Sequence, residues 1–216
     1  MKVPSGTSTA RIRLPFVARA SSPARTPEAP HDIDEVTLAR AQHGDRQAFR
    51  AVVERYQRPV FSLLSRMLLR AGRESLVEDL AQETFVRVFR GLSTFGSDGR
   101  TNLPSWILTI AARLAIDELR RQPQRHESLD RQALGVAGGA PADRETERRG
   151  VASAIERAVA ELTPEQRAAF LLREVHEMDY ESIADALAVD VGTVKSRLSR
   201  ARAALRRALQ GTYDER

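Results

Sequence analysis

The stretch MDYESIADALAVDVGTVKSRLSRARAALRRAL (Met178–Leu209) decides the fold. Asp179 can cap a short helix that carries Ile183, Ala184 and Leu187. A turn at Ala188–Asp190 then leads into a long helix from about Val191 to Leu209. A short helix, a tight turn and a second helix have the spacing of a helix-turn-helix, whose second helix can lie in a DNA major groove. At 100° per residue, Val194, Leu198, Ala201, Leu205 and Leu209 form one stripe that would pack on the domain. The opposite side centres on Ser196 and Ser199. Thr193, Arg197, Arg200 and Arg207 flank it on one edge, and Lys195, Arg202 and Arg206 on the other. Small hydroxyls bordered by cations suit base edges between two phosphate rails. Residues 191–209 carry a net +6 with no acid, whereas residues 151–190 carry −6. A bare cationic helix would equally fit a solvated face, or an RNA- or membrane-binding stripe. The turn, the preceding helix and the acidic platform favour DNA, because acid elsewhere repels phosphate from the other faces.

Upstream, a helix over Val151–Leu162 precedes Thr163-Pro164-Glu165-Gln166, a capping box with proline at the first helical position. The next helix carries Ala169, Phe170, Leu172 and Val175. Residues 123–150 hold proline, a Gly-Gly pair and mixed charge without an apolar face, which reads as a linker. They separate a second domain over 151–210, with a tail at 211–216, from a first domain over 33–122. In the first domain a short helix from about Asp34 should stop near Gly44, and Asp45 can cap a longer one through Leu68. Pro59 predicts a kink or break in it. A third helix runs from about Glu74 to Arg90 and a fourth from about Leu103 to Arg121. Residues 1–32 have no periodicity and read as a disordered arm, although their Arg- and Ser-rich composition also suits an organellar transit peptide. The fold class expected is all-α: two small helical domains joined by a flexible linker.

Composition excludes more than it identifies. The chain has no cysteine, so disulfides, thiolate metal sites and cysteine nucleophiles are excluded. No apolar run approaches the roughly 20 residues that span a bilayer, so no membrane insertion is expected. The net charge of +5 in 216 residues is misleading, since residues 1–30 alone carry +4. Catalysis finds no support: the four histidines are scattered, and Tyr180 stands where His176-Glu177 would need a second histidine for a zinc-protease motif. No enzyme, metal or other cofactor is expected.

Two faces of the first domain stand out. Along the third helix, Val77, Leu80, Ala81, Thr84, Phe85 and Val88 form a core stripe. Opposite lie Asp79, Gln82, Glu83, Val86 and Arg90, either a solvated face or, given Val86 among carboxylates, a protein-docking one. Between the third and fourth helices, Phe95 to Asn102 form a Gly- and Ser-rich loop that could hold an unstacked base. Trp106, at helical spacing with Ile107 and Ile110, reads more simply as core.

The segments DLAQETFVRVFRGLSTF (Asp79–Phe95), WILTIAARLAIDELRR (Trp106–Arg121) and Met178–Leu209 together resemble bacterial sigma factors of the extracytoplasmic-function group in the sigma-70 family. The resemblance covers about 33–210, and Gly192-Thr193-Val194-Lys195-Ser196-Arg197 is its most specific part. It implies an alternative sigma factor whose first domain (region 2) binds core RNA polymerase and the promoter −10 element, and whose second (region 4) reads the −35 element. Core binding would fall to Asp79, Gln82, Glu83 and Val86. The −35 contacts would fall to Thr193, Lys195, Ser196, Arg197, Ser199, Arg200 and Arg202. For the −10 element the candidates are Phe95, Asp98, Arg100, Asn102 and Arg113, with the loop accepting a flipped-out base. Core polymerase, promoter DNA and an anti-sigma factor are the implied partners, and the cytoplasm the implied location. Two departures from the family stand out. Ala188 occupies a turn position where glycine is common, and Ala112-Arg113 replace the usual Arg-Asn. A helix-turn-helix regulator working without polymerase is the alternative; it leaves the Asp79 face without a use.

Overall fold

The computed structural model describes residues 32–69, 71–96, 102–121 and 142–214, with backbone alone at 142–149, 151 and 211–214. The described residues are all-helical: α1 (Glu35–Gln42), α2 (Arg46–Leu68), α3 (Val77–Gly91), α4 (Leu103–Arg121), α5 (Ala142–Ala160), α6 (Pro164–Glu174), α7 (Tyr180–Leu187) and α8 (Val191–Asp214). Local chemistry sets most of these boundaries. The carboxylate of Asp34 accepts the Thr37 N–H at 2.8 Å, and that of Asp45 accepts Gln47 and Ala48 at 2.8 and 3.1 Å. Gly44, at φ +85°, makes the turn between them. Thr163 and Asp179 cap α6 and α7 through the Gln166 and Ser182 amides.

Four boundaries differ from expectation, the first at the C-terminus, where α8 runs past Leu209 to Asp214 through residues read as a tail. Pro59 does not break α2, which runs on through it. Tyr56, Val60, Leu63, Leu64 and Met67 are buried on both sides of it. Burying each large side chain is worth about 1.5–3 kcal/mol, which outweighs the roughly 3 kcal/mol cost of an interior proline. The third helix opens with a 3-10 turn over Glu74–Leu76 before α3 proper. The helix expected from Val151 begins at Ala142, inside the stretch read as linker. Residues 142–149 contain neither glycine nor proline, so helix propagates outward from the packed turns around Ala154, Ala158 and Val159. Residues 123–141 of the linker and 1–31 of the N-terminal arm lie outside the described residues; Asp32, the arm's last residue, is described and accepts from the Tyr56 hydroxyl.

The helices form two clusters, α1–α4 and α5–α8. Each has an apolar core, with Val194, Leu198, Ala201 and Leu205 of α8 all buried, while Leu80, Phe85, Val175, Leu187 and Leu209 of the expected faces are only half-buried. The clusters also pack on one another, α6 and α7 against α4 and α6 against α2, and the described residues fall in one compact unit. α4 is the shared element. Leu103, Ser105, Ile107, Leu108, Ala111, Ala112, Leu114, Ala115, Ile116 and Leu119 are buried on almost every side of it. A helix that is apolar nearly all round belongs in the middle of a structure.

Arg167 of α6 is fully buried. Its Nη1 donates to the Met67 carbonyl of α2 at 2.5 Å, and Nη2 to the carbonyls of Ala160 and, at 3.4 Å, Leu162. Burial lowers its pKa to about 10, so it stays charged at neutral pH. Charge-assisted bonds to helix-end carbonyls offset the desolvation of the guanidinium. At the surface, Arg120 of α4 pairs with Glu165 of α6 at 2.6 Å.

Among the described residues no helix is long and apolar enough to cross a membrane. The expectation of a cytoplasmic protein is corrected to that statement, which names no compartment.

Two stability predictions follow from the second cluster. Ala188 is left-handed, at φ 51° and ψ 52°, and so is strained as its position suggested. That conformation costs a non-glycine residue about 1–2 kcal/mol, and glycine loosens the unfolded chain by about 0.4–1 kcal/mol. Ala188→Gly should therefore stabilise by about 0.5–1 kcal/mol in denaturant unfolding; a destabilised variant would refute the strain. The His176 ring is packed beside α2, and burial followed by the charge of Arg66 lowers its pKa from 6.5 to about 4. The unfolded chain binds this proton below about pH 6.5, the folded chain only below about 4. This contribution to stability is complete above pH 6.5 and is lost as pH falls through 4, to the extent of about 3 kcal/mol. His176→Gln should flatten the loss between pH 7 and 4.5 relative to the parent chain; equal slopes would contradict the assignment.

Candidate nucleic-acid interface and docking face

α8 is about 36 Å long and sorts its cations into two groups. Lys195, Ser199 and Arg200 are exposed on the side away from the core, and Thr193 is half-buried beside them. Ser196 donates through Oγ to the Thr193 carbonyl at 2.9 Å, so its hydroxyl is engaged within the helix. Arg202 turns toward its own domain: Nε and Nη2 donate to Oε1 of Glu174 at 3.0 and 2.6 Å. Its burial favours the neutral form, but the bond to Glu174 outweighs that and raises its pKa. Arg197 is half-buried, with Nη1 enclosed and lacking a hydrogen-bond partner. Glu165 lies near it. Burial raises the Glu165 pKa, yet its own backbone N–H, Arg120 and Arg197 together bring it below the usual value. Of the seven residues the sequence offered for the −35 contacts, Arg202 thus serves the domain as well.

At the start of α4 a second site takes shape. The Phe95 ring lies 4.9 Å from Trp106, tilted by 37°, and its carbonyl accepts from Gln42 of α1 at 2.9 Å. Gly91 allows this packing, because a Cβ there would stand 3.0 Å from the indole. Trp106 is half-buried, its indole packed against Gly91 and Phe95. Asn102 caps α4, its Oδ1 accepting the Ser105 N–H at 2.9 Å. Asp98 and Arg100 lie outside the described residues. Arg113 sits about 16 Å along the helix from Asn102. It is bonded to α7, with Nε donating to the Ala186 carbonyl and Nη2 to that of Asp185, both at 2.8 Å.

On α3, Asp79 and Gln82 are exposed, while Glu83 and Val86 are half-buried. Glu83 accepts from Arg87 at 2.7 Å. Sequence reading missed Phe89, which is 51% exposed and meets Phe49 of α2 edge-on at 4.9 Å and 72°. Its spacing was the available signal: it stands three residues beyond Val86 and seven beyond Gln82, on the same side of the helix. Carboxylates, an amide and two apolar side chains make this a mixed face suited to protein. Among the described residues no group of three or more histidines and carboxylates could hold a metal ion.

Comparison with known proteins finds matches to both helical clusters. The family model for Sigma-70 region 2 matches residues 52–125, and that for Sigma-70, region 4 matches residues 152–205. The ECF RNA polymerase sigma-E factor of Escherichia coli (strain K12) is 34% identical over 181 residues, which cover 80% of this chain and 92% of that protein. The RNA polymerase sigma-H factor of Pseudomonas aeruginosa is 31% identical over 186 residues, 82% of this chain and 94% of the relative. Among solved structures, CnrH in complex with the cytosolic domain of CnrY is similar in fold. It has a TM-score of 0.58 and 24% identity, and the match covers 83% of this chain and 99% of CnrH. RpoE of Bartonella quintana, in complex with the anti-sigma factor NepR, has a TM-score of 0.54 and 22% identity, over 75% of this chain and 96% of that one. With both regions matched in order and relatives covered almost end to end, the chain belongs to the extracytoplasmic-function group of the sigma-70 family of RNA polymerase sigma factors.

Proposed function

We propose that this sigma factor docks on core RNA polymerase through the α3 face and reads the −35 element with α8. The start of α4 and the Phe95–Asn102 loop then contact the −10 element as the promoter melts. Sigma factors are not enzymes; they supply sequence recognition and strand separation to the polymerase. The observation that carries the reading is the pairing, in one chain, of a protein-type face on α3 with a cationic groove-reading helix on an acidic domain. A regulator acting on DNA alone would account for α7 and α8 but would leave the match of residues 52–125 without a role.

The docking set is Asp79, Gln82, Glu83 and Val86, extended by Phe89. An exposed aromatic that already rests on a second ring pays little ordering entropy when it enters a partner's pocket. For the −35 element the set is Thr193, Lys195, Ser196, Ser199 and Arg200. Arg197 adds charge from one helix edge, and Arg202 from the other while pairing with Glu174 of its own domain. For the −10 element, Phe95 and Asn102 flank the loop and Arg113 supplies a phosphate contact, with Asp98 and Arg100 as the loop's polar members. An anti-sigma factor is a further proposed partner, by analogy with the Bartonella RpoE that NepR binds.

Copurification with core polymerase tests docking. Asp79→Ala with Glu83→Ala should abolish it, and Phe89→Ser alone should weaken binding about tenfold or more. Intact binding in both variants would remove α3 from the interface. Salt dependence tests the division along α8. Arg200→Ala should lower the slope of log affinity for promoter DNA against log salt by about one. Arg202→Ala should leave that slope nearly unchanged and instead lower the unfolding midpoint, since Glu174 loses its partner. Equal slopes for the two variants would contradict the division.

A further inference from the structure

α1 belongs to neither of the faces described above, yet it reaches one of them. It packs on α2 and on the 3-10 turn Leu92–Thr94 that follows α3. Its C-terminal end is fixed by Gly44, at φ +85°, and by the Arg40–Asp45 pair at 2.6 Å. From that end the half-buried Gln42 donates through Nε2 to the Phe95 carbonyl at 2.9 Å, across 53 residues of sequence. Phe95 is extended, at φ −64° and ψ 137°, and Gly96 after it is left-handed, at φ +84°. This carbonyl therefore lies past the helical ladder and takes its donor from a side chain. Trp106 holds the same region from within α4. Its indole packs on the Phe95 ring at 4.9 Å, and its backbone N–H donates to the Asn102 carbonyl at 3.1 Å. Phe95 and Trp106 are both half-buried, so each ring keeps surface on which a base can stack.

We propose that Gln42 is a positioning residue for the −10 contact: it holds Phe95, and through it the Phe95–Trp106 pair, in the pose that meets an unstacked base. α1 is then a brace for the rings that receive the strand, and not only a cover for the core of its cluster. Stacking favours a ring that is already set, because ordering the ring on contact consumes part of the gain. The aromatic contact with Trp106 alone leaves the Phe95 backbone free to swing about the indole. The bond from Gln42 fixes that backbone at a second point, on an element outside the ring pair. Gln42 belongs to neither the docking set on α3 nor the −35 set on α8, so its effect falls on the −10 contact alone. The use of the rings rests on the −10 reading proposed above; the brace itself rests on the geometry of α1, Phe95 and Trp106.

Gln42→Met keeps the length and the neutrality of the side chain but has no donor. Trp106 is the single tryptophan of the chain, so its emission reports on the ring pair in the free full-length protein. The variant should red-shift that emission and admit acrylamide more readily, at unchanged helical content by circular dichroism. In the holoenzyme with core polymerase, promoters carrying an abasic site at each nontemplate −10 position in turn are compared by permanganate reactivity, which measures strand opening. Gln42→Met should lower opening about fivefold on the intact promoter. It should match the parent on the promoter that lacks the base the rings accept. Gly91→Ala keeps the Gln42 bond but brings a Cβ to 3.0 Å from the indole, and should give the same pattern. Unchanged emission and quenching in Gln42→Met, or an equal loss on every abasic promoter, would overturn the proposal. A parent holoenzyme indifferent to every abasic site would instead refute the −10 reading and leave the emission result standing.

Discussion

The burial of α4 on nearly every side is the constraint from which the rest of the structure follows. Its flank toward α2 and α3 completes the first cluster, and the flank bearing Arg113 and Arg120 meets α6 and α7. Small residues such as Ala111, Ala112 and Ala115 let neighbouring helices approach closely. Long cations at its edges then reach across to the other cluster. A residue change in α4 therefore acts on both clusters at once, whereas one in α1 acts on its own.

Much of this was legible in the sequence, because caps and periodicity are local. Asp34, Asp45, Thr163 and Asp179 mark their helix starts by side-chain chemistry that depends on three or four residues. The stripe from Val194 to Leu205 likewise specifies its own burial. What could not be read were contacts between segments distant in sequence. Arg113 and Asp185 lie 72 residues apart, and Arg167 and Met67 lie 100 apart. No spacing rule connects them. An arginine in a helix ordinarily stays in water, and nothing in its own segment marks Arg167 for burial. Here two helix ends supply carbonyls in place of a carboxylate.

The same difference explains the candidate site residues. Helical geometry centred the outward face on Ser196 and Ser199 and set Lys195, Arg197, Arg200 and Arg202 along its edges. Arg197 and Arg202 stand at the margins of that face, where 100° steps cannot decide between solvent and domain. The decision comes from Glu165 and Glu174 on α6, outside the helix being read. Phe89 escaped notice for a related reason. Its spacing puts it on the polar side of α3 with Gln82 and Val86, outside the stripe that apolar periodicity picks out, and its contact with Phe49 lies beyond any spacing rule.

α8 thus separates the residues that hold it from those that face away. Val194, Leu198, Ala201, Leu205 and Arg202 fasten the helix, while Lys195, Ser199 and Arg200 make no contact on which the domain's packing depends. Substitution at the outward positions carries little folding penalty. On the −35 reading proposed above, a lineage of such chains can drift from one set of target sequences to another through a few changes on one face while keeping the scaffold fixed. The division of labour along a single helix makes the protein robust in architecture and evolvable in address.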